Sequence, residues 1–241
     1  MRSPSSFTDP HPDFTNTTTD AMSLYTIELH PAGTARATVI MLHGLGADGT
    51  DFLSMADELD LAAVGPVRWV MPRAPERPVT INGGMRMRAW YDILGTEIDR
   101  REDEAGLRDS ARLVDELIAR EIARGIPAQR IVLAGFSQGC ALTLLAGLRF
   151  GERLAGLAGL SGYLPLAAAT VAERHGANAE VPIFLAHGSR DPMIPLARGE
   201  RSRDALLALG CKVDWHAYPM EHSLCLEEVR DLERWLLKVL A

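Results

Sequence analysis

Ile131-Val-Leu-Ala-Gly135-Phe-Ser137-Gln-Gly139 runs straight into Cys140-Ala-Leu-Thr-Leu-Leu-Ala-Gly147. The first part, Ile131 to Phe136, is apolar and short, as a buried strand is. The Ala- and Leu-rich stretch Gln138 to Phe150 reads as a buried helix. Between them only the pattern G-x-S-x-G is left to turn the chain. In so tight a strand-to-helix turn, side chains at 135 and 139 would collide, and glycine removes the Cβ at both. Ser137 at the apex is forced into a strained backbone conformation with its hydroxyl exposed above the sheet. The helix that follows aims its N-terminus at that hydroxyl, where developing negative charge is favoured. Ser137 is therefore the candidate nucleophile.

Outward from that turn, apolar strand-like runs alternate with helical patterns. Leu24 to Leu29, Ala37 to Leu42, Val67 to Met71, Ile131 to Phe136, Leu154 to Leu160, Val181 to His187 and Lys212 to Tyr218 read as strands. Ala37 to Leu42 (ATVIML) is too apolar for a half-exposed strand. Helical spacing marks Asp51 to Leu61, the stripe Ala111, Val114, Leu117, Ile118 and Ile122, then Gln138 to Phe150, Leu196 to Leu209, and Val229 to Val239. This alternation predicts an α/β fold with a mostly parallel central sheet and helices on both faces. Pro72 to Glu104 is the least regular stretch. Its methionines and Trp90 point to a packed loop facing substrate.

A serine hydroxyl needs a base to take its proton. In this architecture the order along the chain is Ser, then Asp or Glu, then His, each after a later strand. Pro182-Ile-Phe-Leu-Ala-His187-Gly-Ser-Arg-Asp191 sets Asp191 just past a strand end. Lys212-Val-Asp-Trp-His-Ala-Tyr218-Pro-Met-Glu-His222 sets His222 after the last strand. His187 and His216 are weaker bases, at a strand end and inside a strand. Asp214 sits mid-strand and Glu221 adjoins the histidine, so neither is placed to orient it.

His43-Gly44-Leu45-Gly46-Ala47-Asp48-Gly49 carries a second pattern, G-x-G-x-x-G after a strand. Taken literally it is a dinucleotide fingerprint, which would make the chain a nicotinamide-dependent oxidoreductase. Asp48 opposes this by putting a carboxylate where a pyrophosphate would lie. The next strand ends in Pro72-Arg73, not in the acidic residue that grips a ribose. His43-Gly44 fits an oxyanion loop better, with the amides of Leu45 and Gln138 as the two donors.

The chain has 241 residues, 47% hydrophobic and 24% charged, which suits one globular domain. A net charge of −7 argues against nucleic acid as a partner. No apolar run approaches the roughly 20 residues that cross a bilayer. Residues 1–22 are polar, without a secretory h-region, and read as a disordered tail ahead of a catalytic domain over 23–241. Cys140, Cys211 and Cys225 are an odd set without metal-like spacing, as in a cytoplasmic protein with reduced thiols.

Five ordered motifs together resemble the phospholipase/carboxylesterase family of α/β-hydrolases, which includes acyl-protein thioesterases and bacterial carboxylesterases. They are His43 to Gly49, Pro78-Val-Thr-Ile-Asn-Gly-Gly-Met-Arg-Met-Arg-Ala-Trp-Tyr-Asp-Ile93, Gly135-Phe-Ser-Gln-Gly139, His187-Gly-Ser-Arg-Asp-Pro192 and the His222 loop. The resemblance implies a Ser137–Asp191–His222 triad, backbone oxyanion donors at Leu45 and Gln138, no metal and no organic cofactor. It implies a small-molecule acyl ester or thioester as substrate and, since members often form dimers, a homodimer. Two features depart from the pattern: the N-terminal tail, and Glu221 directly before His222 where the family usually has glycine. Leu45, Met85, Met87, Trp90, Leu94, Met193 and Ile194 are candidates to line an acyl pocket, with Met87, Trp90 and Met193 foremost. No segment is long enough for a lid domain. The expectation is a carboxylesterase for short to medium acyl chains; the alternatives are an acyl-protein thioesterase, a lysophospholipase, the oxidoreductase above, or a non-catalytic binding protein on the same fold.

Overall fold

The computed structural model describes residues 14–15, 24–95 and 101–241. In chain order its strands are β1 (Phe14–Thr15), β2 (Thr26–Leu29), β3 (Ala37–Leu42), β4 (Val67–Pro72), β5 (Glu76–Val79), β6 (Met85–Arg88), β7 (Ile131–Phe136), β8 (Gly156–Leu160), β9 (Pro182–Gly188) and β10 (Lys212–Tyr218). Eight of them form the main sheet, in the order β1-β2-β4-β3-β7-β8-β9-β10. Every pairing from β4 to β10 in that order is parallel, while β2 runs antiparallel to β1 and β4.

The α-helices among the described residues are α1 (Leu53–Glu58), α2 (Glu104–Ala123), α3 (Gln138–Arg149), α4 (Ala167–Glu173), α5 (Leu196–Ala208) and α6 (Leu226–Val239). They cover both faces of the sheet, and the strand sequences show why. Ile40, Leu42, Leu133 and Ile183 face a core completed by Leu107 and Ile118 of α2, Leu142 of α3 and Leu206 of α5. Their neighbours Val39, Met41, Val132 and Phe184 face a second core with Met55 of α1 and Leu232, Trp235 and Leu236 of α6. Side chains alternate across a strand, so covering both faces makes both alternate sets apolar. Each fully buried Leu or Ile contributes roughly 1.5–3 kcal/mol.

The structure departs from the expected elements in four places. Residues 72–104 are not all loop, because β5 and β6 form an antiparallel hairpin apart from the main sheet. Its turn holds Gly83 and Gly84 at φ 66 and 80, conformations open to glycine. The helix expected from Asp51 is shorter. It opens as a 3-10 turn over Gly49–Phe52, capped by Asp48, whose side chain accepts from Thr50 N while Asp51 bonds back to the cap amide. Helix α4 has no counterpart among the expected elements. Finally, the expected polar tail over residues 1–22 lies outside the described residues except at Phe14–Thr15, which pair with the otherwise open edge of β2.

Candidate active site

At the carboxyl end of β7 the chain reverses into α3 with Ser137 at φ 57 and ψ −115, a conformation rare for a residue with a Cβ. The two flanking glycines are sterically required. A Cβ on Gly135 would lie 2.3 Å from the Gly139 carbonyl carbon, and one on Gly139 would lie 2.0 Å from the Leu42 oxygen. The turn can close only without them.

Ser137 meets two residues from separate loops. The His222 Nε2 lies 2.9 Å from Ser137 Oγ, and its Nδ1 lies 2.6 Å from Asp191 Oδ2. Asp191 follows β9 in a loop that bonds to the chain after β10, through Ser189 N to the Tyr218 carbonyl (2.7 Å) and Arg190 N to the Met220 carbonyl (3.0 Å). The other Asp191 oxygen accepts from the amides of Met193 (2.8 Å) and Ile194 (2.9 Å). The carboxylate is thus aimed from behind and keeps one oxygen for the imidazole. His222 also packs on Phe136, ring centroids 4.8 Å apart.

The competing side chains are used elsewhere. Asp214 pairs with His216 at 3.0 Å. His187 is buried, its ring bonded to the Ile194 carbonyl at 2.8 Å, and burial pushes its pKa below the ordinary imidazole value. Glu221 is not among the residues with positive φ, so the glutamate beside His222 sits without left-handed strain.

The loop after β3 passes directly over the serine. A Cβ on Gly44 would lie 3.2 Å from the Ser137 Cβ, so glycine permits the close approach. The amides of Leu45 and Gln138 have no acceptor among the described residues. Asp48 caps the 3-10 turn itself and pairs with Arg73 at 2.8 Å, so the N-terminus a dinucleotide phosphate would need already carries a carboxylate.

The sequence model for Phospholipase/Carboxylesterase matches residues 27–240. The chain belongs to the phospholipase/carboxylesterase family. Acyl-protein thioesterase 1 of Yarrowia lipolytica is 41% identical over 205 residues, covering 83% of this chain and 90% of that protein. The crystal structure of Arabidopsis thaliana SOBER1 superposes with a TM-score of 0.82 at 30% identity, over 86% of this chain and 100% of that one. Zea mays acyl-protein thioesterase 2 superposes at 0.80 and 32% identity, over 90% and 99%. The architecture is therefore the α/β-hydrolase fold, and the chain is a hydrolase of this family.

Among the described residues of this family member, two cavities open beside Ser137. One, of about 460 Å³, runs along the His222 side between Ala47, Phe52, Phe136 and Leu224. The other, of about 280 Å³, runs along the Gln138 side between Tyr91, Ile93, Tyr163 and Ile194. Leu45, Ser137, Met193 and His222 border both. A larger cleft of about 650 Å³ lies at the opposite ends of the strands, among Arg153, Lys212, Trp235 and Lys238, and holds no serine or histidine. Chemistry, not size, decides between them.

Of the three foremost pocket candidates, Met193 alone borders both cavities, and it is 69% exposed. Met87 borders neither. It is half-buried under the Gly46 loop and accepts from Asn82 Nδ2 at 3.3 Å. Trp90 is fully buried, with its indole N–H donating to the His43 carbonyl at 2.9 Å. A tryptophan in a proline-rich stretch suggests a substrate surface, but backbone takes its single polar group. Phe52, Phe136, Tyr91 and Tyr163 line the cavities and are absent from the sequence candidates. Phe136 lies within the serine motif itself, whereas nothing in the local sequence marks Tyr163.

Proposed function

We propose that this chain cleaves carboxylic esters and thioesters through an acyl-enzyme formed on Ser137. The observation that carries the reading is the continuous pair of hydrogen bonds from Ser137 Oγ through His222 to Asp191. In it, Ser137 Oγ attacks the acyl carbon as its proton passes to His222 Nε2. The carbonyl oxygen becomes an oxyanion and accepts from the amides of Leu45 and Gln138, each worth roughly 3 kcal/mol in the transition state. Asp191 stabilises the imidazolium, which then gives its proton to the departing alcohol or thiol. Water, deprotonated by the same imidazole, attacks the acyl-serine, and the acid leaves.

His222 borders both cavities, so the lining divides them. The cavity of about 460 Å³ also carries Asp51, which supports assigning it the more polar departing group. The acyl chain takes the Gln138 side, where the lining of Tyr91, Ile93, Tyr163 and Ile194 carries no formal charge and suits an uncharged acyl chain of short to medium length. Acyl-protein thioesterases at about 40% identity favour thioesters as a second substrate class. The three cysteines are free, in keeping with a cytoplasmic setting. No helix among the described residues is long and apolar enough to cross a membrane.

Hydrolysis of a graded series of acyl esters and thioesters tests the reading. Ser137→Ala should lose about 10⁴-fold or more in turnover on every member. A Ser137→Ala protein that retained near-normal hydrolysis would remove the serine from the mechanism.

A further inference from the structure

The two amides assigned to the oxyanion come from loops far apart in sequence, yet both loops are bonded to one short segment. The Trp90 indole donates to the His43 carbonyl at 2.9 Å, and the Gly46 amide donates to the Arg88 carbonyl at 2.8 Å. These two bonds bracket Leu45. On the other side, the Trp90 amide donates to Gln138 Oε1 at 3.0 Å, and Gln138 Nε2 donates to the Tyr91 carbonyl at 2.8 Å. Both hydrogen-bonding ends of the Gln138 side chain are thereby used, while its own amide is left for substrate.

The segment is itself anchored. The Ala89 amide donates to the Pro75 carbonyl at 3.1 Å, and Ser110 of α2 donates to the Trp90 carbonyl. The His43 ring closes the circuit, its centroid 5.3 Å from that of the Trp90 ring. Its Nε2 accepts from the Ala74 amide at 2.9 Å, so its Nδ1 must carry the proton given to the Gly44 carbonyl at 2.7 Å. Only the neutral ring makes both bonds, and burial, the largest influence on it, pushes its pKa below the ordinary value.

We propose that Arg88–Tyr91 is a splint that fixes the distance between the Leu45 and Gln138 amides, with Trp90 as its positioning residue. This deepens the serine hydrolase reading and rests on it. The Trp90 side chain touches no substrate; it acts by holding both donors where charge develops. Preorganised donors help because they need not reorient during the reaction. Loosening the splint should therefore harm the transition state more than ground-state binding.

The test uses Trp90→Phe, which keeps a ring and loses the indole N–H, and Gln138→Met, which keeps side-chain length and loses both bonds. The readouts are kcat and KM on a p-nitrophenyl acyl ester and the inhibition constant of an acyl trifluoromethyl ketone. That ketone takes Ser137 Oγ at its carbonyl carbon, passes the serine proton to His222, and leaves an oxyanion in the same place. Each variant should lose about 10- to 100-fold in kcat with KM changed less than about threefold. The ketone's inhibition constant should rise by the same factor as kcat/KM falls. Gln138→Met carries the test if Trp90→Phe fails to fold. Wild-type kcat and ketone affinity in folded variants, or a rise in KM alone, overturn the splint. An active Ser137→Ala protein overturns the underlying mechanism instead, so the two failures are distinct.

Discussion

Asp191 uses each oxygen for a different purpose, and this decides what an amide would do in its place. An asparagine side chain there would keep its oxygen toward the Met193 and Ile194 amides, because only an acceptor satisfies them. Its NH₂ would then face His222 Nδ1, which lies 2.6 Å from the native carboxylate, and force that nitrogen to accept. The proton would move to Nε2, which would donate to Ser137 and could no longer take its proton. Asp191→Asn should therefore lose about 10³- to 10⁴-fold in kcat/KM while remaining folded, as read by steady-state kinetics and circular dichroism. Glu228 offers a second test at this scale. It is wholly buried at the start of α6, where the Cys225 amide faces its carboxyl but no cation among the described residues pairs with it, and burial, the largest influence, pushes its pKa up to about 8 from 4.5. The folded protein then holds a proton that the unfolded chain has released between those values. Stability from this group is full below about pH 4.5 and is lost as pH rises through 8. Thermal midpoints across that range should fall less steeply for Glu228→Gln than for the natural protein; parallel curves would contradict the assignment.

The strand-turn-helix element around Ser137 is the most constrained piece of the fold. A Cβ at position 139 would sit 2.0 Å from the Leu42 oxygen, a backbone atom at the carboxyl end of β3, where Leu42 pairs with Gly135 of β7. Gly139→Ala should cost about 3 kcal/mol or more. For a domain of this size that lowers the melting midpoint by roughly 10 °C, measurable by calorimetry. This element is legible in the sequence because its strand, glycines and helix all point to one geometry. The hairpin of β5 and β6 is not, although Asn82-Gly83-Gly84 is a strong turn signal. Arg86 and Arg88 alternating with methionine look like loop, since an exposed two-stranded ribbon needs no apolar face. Helix α4, Ala167-Ala-Ala-Thr-Val-Ala-Glu173, escapes because it is short and largely exposed, with Thr170 its one buried residue. Helix α1 reads too long because Leu59 and Leu61 continue the apolar spacing after the backbone has turned to extended at Leu59.

Across the whole molecule, two cores on opposite faces of one sheet bring three loops to the same rim. The doubly apolar strands make that architecture readable, since only a sheet covered twice has no polar face. The direction of β2 is not readable. β2 is held antiparallel by pairing with β4 and by a cluster in which buried Glu28 takes Arg120 of α2 and Arg124, the residue that caps it, at 3.1 and 2.8 Å. The meeting of Ser137, His222 and Asp191 is legible because each follows a strand in the order this fold requires. The cavity walls are not, because Tyr91, Tyr163 and Phe52 arrive from three unrelated segments and meet only after folding. Trp90 shows the same limit from the other side: its sequence context marks it as special without showing whether it faces substrate or backbone.

The convergence of serine, imidazole and carboxylate is tested most directly by covalent labelling with a fluorophosphonate, followed by peptide mapping. One adduct per chain, on Ser137, is predicted, with the labelling rate reduced at least about 10³-fold in His222→Ala. An adduct on another residue, or a His222→Ala protein labelled at the natural rate, would contradict the account.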